Sequence, residues 1–277
     1  MRLLHISDLH AGSAEEPRIE RGLEPLIERV GPELIVVTGD VAHRGRRREH
    51  ERAAAFLRGL GRPLLVIPGN HDIPYIFPAR FTRPWTEFER QWESVEPEFR
   101  SEDVVVVGLN SVRPWRHQSG GIRGPQIQRV AQRLADAPPG ALRVVALHHH
   151  LIGAPWRSRK RPVAKRSEVL AELVDAGAEL ILAGHIHQAA VSERHEFEVG
   201  RDGLRGVTVS VAPGLGQPRP NRRGEARGLH VYEANAETLL VETYTWRDDD
   251  WGLTALRTFP RGRAPLTVEA AGERPGP

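Results

Sequence analysis

One pattern constrains this chain more than any other: apolar runs of strand length that stop abruptly at histidine, aspartate or asparagine. "RLLHIS" (2–7) runs into Asp8 and His10, "ELIVVTG" (33–39) into Asp40, and "PLLVIPG" (63–69) into Asn70, His71 and Asp72. "LRVVALH" (142–148) opens the triplet His148, His149, His150, and "ELILAG" (179–184) stops at His185 and His187. The runs are continuous Val/Ile/Leu rather than alternating, which predicts strands buried on both faces. Between them lie amphipathic stretches. "RIERGLEPLIERV" (18–30) puts Ile19, Leu23, Leu26, Ile27 and Val30 on one helical face. Further helices are expected over 49–61, 125–136 and 167–176, with another strand at "DVVVVGLN" (103–110). Alternating strands and helices imply an α/β fold. Sites in such sheets gather at the carboxyl ends of the strands, so the five strand ends can open on one cleft.

Beyond His185 the pattern changes to successive short strands broken by Gly, Pro and Asn: "AAVSERHEFEV", "GVTVSVAP", "GLHVYEAN" and "TLLVETYTW". These read as a second, antiparallel sheet packed on the first. The aromatic, proline-broken segment 74–100 reads as a helical cap-like insertion. Residues 1–260 then form a single domain, and the Gly/Pro/Ala-rich 261–277 a loosely ordered tail.

Composition narrows the chemistry. There is no cysteine among the 277 residues, so disulfides and thiolate metal sites are excluded. All but two of the 39 basic residues are arginine, but the net charge is only +3, which argues against a protein that coats nucleic acid. No apolar stretch approaches a membrane span. The N-terminal "MRLLHISDLH" lacks the apolar core and cleavage site of a signal peptide, so a cytoplasmic protein is expected. Oxygen and imidazole donors without sulfur suit Mn, Fe, Zn or Co. Asp8 and His10 are two apart, as are His185 and His187, a spacing that lets each pair face one way on an extended segment. Glycines before Asp40, Asn70 and His185 are expected to permit the turn out of the sheet.

The ordered set D-x-H, G-D, G-N-H-D, H-H and G-H-x-H resembles the calcineurin-like metallophosphoesterase superfamily. The forms "ISDLH", "GDVAHRG", "PGNHD" and "AGHIH" are most similar to its bacterial branch that includes the cyclic-AMP phosphodiesterases. The resemblance implies two mixed β-sheets packed as a sandwich flanked by helices, an α/β/β/α order. It also implies two metal ions, with Asp8, His10 and His187 on the first, Asn70, His148 and His185 on the second, and Asp40 bridging. His71 would face the substrate, with Asp72 orienting or charging it. Two such ions about 3.5–4 Å apart clamp the attacking and leaving oxygens of an in-line displacement, and a hydroxide bridging them is the nucleophile. His71, if protonated, could donate to the leaving alkoxide.

The implied partner is a phosphoester small molecule, with cyclic nucleotides as the first expectation. Phosphomonoesters and nucleic acid stay open as alternatives, the latter not favoured at this chain length. A ligand-depleted binding scaffold is the rival class, but it would show gaps in the ligand set, and none is seen. His149, Asn110 and Arg113 are expected substrate contacts. His150 reads as a plain loop residue, and His5, His50, His195 and His230 as structural. The roles of His43, which follows Asp40 closely, and of His117, in the Gly- and Arg-rich loop 110–121, are left open. The Arg-rich loops 156–166 and 219–227 follow motifs and could line the cleft, whereas 45–48 reads as solvated.

Overall fold

The apolar runs form the strands they predict. The computed structural model describes residues 1–13, 17–154, 158–195, 206–216 and 225–261. In chain order the elements begin β1 (Arg2–Ile6), α1 (Pro17–Val30), β2 (Leu34–Val37), α2 (Arg47–Gly59) and β3 (Leu64–Val66). The segment 74–100 holds α3 (Ala79–Thr82), α4 (Thr86–Trp92) and β4 (Glu98–Arg100). Then come β5 (Val104–Leu109), α5 (Gly124–Ala135), β6 (Leu142–Leu147), α6 (Arg166–Asp175) and β7 (Leu180–Ala183). Five strands close the described chain: β8 (Ala190–His195), β9 (Gly206–Val211), β10 (Gly228–Ala234), β11 (Thr238–Arg247) and β12 (Asp250–Pro260).

Two six-stranded sheets result, ordered β12-β11-β10-β1-β2-β3 and β4-β5-β6-β7-β9-β8. Both are mixed. β1, β2 and β3 are parallel, and β10 returns antiparallel to β1. In the other sheet β5, β6, β7 and β9 are parallel, with antiparallel edges at β4 and β8. The sandwich agrees with expectation, but its partition does not. The late strands do not build a sheet of their own: β8 and β9 extend the second sheet, and β10 to β12 extend the first. The second sheet begins at β4, well before residue 185.

Three separate apolar layers show why the stack has four tiers. Leu4, Ile6, Ile35 and Val37 pack outward against Leu23, Leu26 and Ile27 of α1 and Ala53 and Leu57 of α2. Leu3, Leu34, Val36 and Ile67 meet Val104, Val106, Val144 and Leu182 between the sheets. Val107, Val145, Leu147 and Ile181 pack outward against Val130 and Leu134 of α5 and Val169 and Leu173 of α6. Strands covered on both faces have no polar face, as their unbroken Val/Ile/Leu content requires.

His5 and His230 lie fully buried in this frame, and both are satisfied. His5 sits between the Tyr232 hydroxyl (3.1 Å) and Thr38 Oγ1 (2.9 Å), and His230 donates to the Val211 carbonyl (3.2 Å). Their structural reading is supported. In the 74–100 segment, α4 packs against α2 and buries Phe88 in the outer layer. Residues 262–277, most of the expected tail, lie outside the described residues, as do 155–157 and 217–224 of the Arg-rich loops. Among the described residues no helix is long and apolar enough to cross a membrane.

Candidate active site

Strand alternation sorts the histidine triplet. Along β6, Val144 and Ala146 face the other sheet while Val145 and Leu147 face α5 and α6. His148 continues the inward series: its Nδ1–H donates to the Thr38 carbonyl at the end of β2 (2.7 Å). That bond fixes the tautomer and turns Nε2 towards Asn70 Oδ1 (3.2 Å), His185 Nδ1 (3.1 Å) and Asp40 Oδ2 (3.4 Å). His185 is fixed in the opposite sense, since its Nε2–H donates to the Gln118 carbonyl (3.1 Å) and leaves Nδ1 for the cluster.

A second cluster lies alongside. His187 Nε2 approaches Asp8 Oδ1 and His10 Nε2, each at 3.2 Å. His10 Nε2 lies 3.8 Å from Asp8 and 3.9 Å from Asp40 Oδ2. Asp40 therefore faces nitrogens of both clusters. All seven expected ligands come together, and all seven are buried. Asp8, His10 and His187 make one group with convergent donor atoms, and Asp40, His148 and His185 another. A third group, His10, His43 and His71, brings His43 into the margin of the site.

The donor set fits metal ions. Asp8 Oδ1 and Asp40 Oδ2 are buried without any hydrogen-bond partner among the described residues. Buried charges without a counter-charge are costly, and paired imidazole nitrogens nose to nose leave lone pairs aimed at one point. Burial alone would raise the carboxyl of Asp40, but His148 and His71 beside it hold it well below the usual range. Asp8 is held down in the same way by His187. Burial keeps His10 and His185 well below the usual imidazole range and therefore neutral, the form that ligates. His148 differs: against its own burial, Asp40 raises it to about 9.

The loops achieve this convergence differently from expectation. Asp8, His10, Asp40, His185 and His187 are all left-handed, with φ between 50° and 74°. Non-glycine residues rarely adopt that region, and strained positions cluster at functional sites. The pairs Asp8/His10 and His185/His187 thus converge through consecutive tight turns, not along an extended segment. Gly39 does turn with positive φ, at 86°, but Gly69 and Gly184 do not. They are required for closeness instead. A Cβ on Gly69 would lie 2.2 Å from Asp40 Oδ1, and one on Gly184 1.9 Å from Ser7 Oγ. Ser7 in turn donates to Asp8 Oδ2 (2.6 Å). Gly184→Ala should therefore displace Ser7 and Asp8 together, costing roughly 1–3 kcal/mol of stability from overpacking and weakening metal uptake. Denaturant midpoints and metal titration check this against Gly59→Ala, whose added carbon meets nothing within 4 Å.

His71 stands at the edge of the clusters, its ring 4.9 Å from that of His10. Its backbone N–H donates to Asp40 Oδ1 (2.8 Å), and its Nδ1–H donates to the His43 carbonyl (2.8 Å). The Tyr75 hydroxyl lies 3.1 Å from the same nitrogen. Asp72 makes its side-chain hydrogen bonds to the backbone. Its two carboxylate oxygens accept from the Ala42 and Gly69 N–H groups (2.8 and 2.7 Å), tying the two turns together. Burial, with Asp40 alongside, pushes its carboxyl up to about 7.

The expected substrate contacts divide. His149 is buried with Nε2 unpartnered among the described residues, its Nδ1 accepting from the Ser111 hydroxyl (2.8 Å) and its ring 4.6 Å from His185. Asn110 and Arg113 are occupied within their own loop, contrary to expectation. Asn110 Oδ1 caps the Val112 N–H (2.9 Å), and Arg113 spends Nη1 on the Asn110 and Val112 carbonyls and Nη2 on Gln126 Oε1. His150 is no plain loop residue: it is buried and stacks on His185 at 5.9 Å. His117 is exposed, although its neighbour Gln118 touches His185. The sequence signal for Ser7, Thr38 and Ser111 was adjacency to a motif; Tyr75 had none.

A sandwich whose strand ends gather carboxylates and imidazoles around shared points is the architecture of a metal-dependent hydrolase. The chain belongs to the calcineurin-like phosphoesterase family, whose model matches residues 1–189. It is 29% identical over 208 residues to a probable cyclic nucleotide phosphodiesterase of Synechococcus sp., covering 70% of this chain and 76% of the relative. It is 28% identical over 238 residues to the 3′,5′-cyclic adenosine monophosphate phosphodiesterase of Pseudomonas aeruginosa, covering 76% and 78%. The fold also matches a dimetal phosphatase from Danio rerio, with a TM-score of 0.64 at 13% identity over 94% of this chain and 98% of that one. The family and the bacterial branch are those the motifs resemble, and the chain is a phosphoester hydrolase.

Proposed function

We propose that this chain hydrolyses phosphodiesters of nucleotides, 3′,5′-cyclic nucleotides first among them, at a site built for two metal ions. The observation that carries the reading is the pair of donor clusters sharing Asp40, each complete and each buried. Asp8, His10 and His187 would hold one ion, and Asn70, His148 and His185 the other, with Asp40 common to both. Mn, Fe, Zn and Co all suit this donor set. When bound, the ions supply Lewis acidity that makes water nucleophilic near neutral pH and offsets phosphate charge.

The chain's own groups do the rest. Thr38 and Gln118 accept hydrogen bonds that fix which nitrogens of His148 and His185 face the ions, a second layer of support that metal-binding imidazoles generally need. The His43 carbonyl accepts from Nδ1–H of His71, so that the doubly protonated ring would give its Nε2 proton to the departing alkoxide and be left as the Nδ1–H tautomer. Support for cyclic nucleotides comes from the relatives named above.

Chelation followed by reconstitution tests the reading. Metal-stripped protein should lose hydrolysis of bis(p-nitrophenyl) phosphate and 3′,5′-cyclic AMP, and one or more of Mn, Fe, Zn or Co should restore both. Persistence of the rate after chelation, or a fully loaded protein inert towards every diester, would count against it.

A further inference from the structure

Of the seven large apolar side chains exposed among the described residues, four fall within residues 75–81 (Tyr75, Ile76, Phe77 and Phe81), and a fifth, Trp115, stands on a loop tied to that segment. Four of the five are aromatic, in a chain that is only 6% aromatic. Ile76 and Phe77 are 74% and 79% exposed. Such clustering on a water-exposed surface marks a binding site.

One contact ties this rim to the reacting centre. Tyr75 begins it and touches His71, with ring centroids 5.5 Å apart and the hydroxyl 3.1 Å from Nδ1. The rim is also held as one body. The guanidinium of Arg80, only 3% exposed, donates to the carbonyls of Pro74 (3.2 Å), Pro114 (2.7 Å) and Arg116 (3.3 Å). It clamps the 74–81 segment to the loop carrying Trp115. Spending a buried cation on three carbonyls of two loops is the work of a preorganised surface, because preorganisation lowers the cost of ordering on binding.

We propose that this aromatic rim is the platform for the nucleobase of a nucleotide substrate, and that it sets selectivity for nucleotide esters over small alkyl ones. The inference rests on the phosphodiesterase reading above for its phosphate end. A phosphoester held at His71 carries its substituents past Tyr75. A base is flat and presents a π face, which aromatic side chains stack without regard to base identity. The rim should accordingly discriminate base from no base, and only weakly one base from another.

Adenosine 5′-monophosphate and ribose 5-phosphate share sugar and phosphate and differ by the base alone. Their affinities for the Mn-loaded full chain, read by calorimetry, should differ at least tenfold in favour of the nucleotide. Phe77→Ser and Trp115→Ser should each shrink that ratio, and the double variant should bring it near one. A base–aromatic stack is worth about five- to a hundredfold in binding. Equal affinities in the wild type, no binding of either compound, or a ratio that survives the double variant would overturn the proposal. So would anionic phosphatidylglycerol vesicles that co-sediment with the wild type and not the double variant while the ratio stays unchanged, since the rim would then be a membrane surface. Failure of the chain to hydrolyse any diester would remove the phosphodiesterase reading instead, and the binding ratio would still decide the role of the rim.

Discussion

Asp40→Asn will lower kcat/KM for bis(p-nitrophenyl) phosphate by about a thousandfold or more, while leaving the fold intact. Asparagine has the same shape and keeps an oxygen for the His71 N–H, which donates to Asp40 Oδ1 at 2.8 Å. What it cannot keep is Oδ2, the buried oxygen without a hydrogen-bond partner among the described residues that faces His148 Nε2 at 3.4 Å and His10 Nε2 at 3.9 Å. The substitution removes the charge common to both clusters and puts N–H donors where a cation would sit. Losing a single preorganised electrostatic contact in a buried site typically costs 10²–10³ in rate, and Asp40 would serve two ions. A second readout separates metal loss from misfolding. Ligands that bind only the native state stabilise it by about 2.7 kcal/mol at a hundred times their dissociation constant. Adding Mn should therefore raise the unfolding midpoint of the wild type and leave that of the variant where it was. Wild-type turnover in the variant would remove Asp40 from the centre of the site.

Much of this site was legible because its donors sit at strand ends. Each apolar run is long enough to be recognised locally, and topology alone carries five such ends into one cleft. Alternation likewise separates His148 from His149, since the inward series Leu142, Val144, Ala146 continues to His148. Other features depend on distant contacts. Which sheet β10 joins is decided by pairing with β1, more than 220 residues away in sequence, as in Leu3 with Tyr232. β12 is not legible in the sequence because it is an edge strand with most of its side chains exposed, so "DWGLTALRTFP" carries no apolar period. Arg113 reads as a substrate contact because an arginine in a Gly-rich loop offers five donors. Only the folded loop shows three of its contacts closing onto Asn110, Val112 and Gln126. Asp72 is the opposite case. Its place after His71 suggested a partner for that ring, whereas the turn needs its carboxylate for the Ala42 and Gly69 N–H groups.

With the orienting role passed to the His43 carbonyl, the part played by His71 becomes separable by leaving group. His71→Ala should lower kcat for 3′,5′-cyclic AMP by about 10²–10⁴, the usual worth of a positioned general acid. It should lower kcat for bis(p-nitrophenyl) phosphate far less, by about tenfold or under, because p-nitrophenolate departs without a proton and general-acid help follows Brønsted behaviour. Metal content should not change, since the side chain of His71 sits beside the two clusters that share Asp40 rather than within either. KM should change little if the ring meets the alkoxide only as the bond breaks, for an interaction made only in the transition state lowers kcat and kcat/KM equally. Equal losses on both substrates would instead assign His71 to holding a phosphate oxygen. Tyr75→Phe distinguishes the support from the acid. It removes the hydroxyl 3.1 Å from Nδ1 but keeps the His43 carbonyl that holds the ring, so the same leaving-group contrast should persist in weaker form. A contrast that vanished in His71→Ala yet remained in Tyr75→Phe would move the proton from the His71 ring to the Tyr75 hydroxyl beside it, the one group the second variant removes.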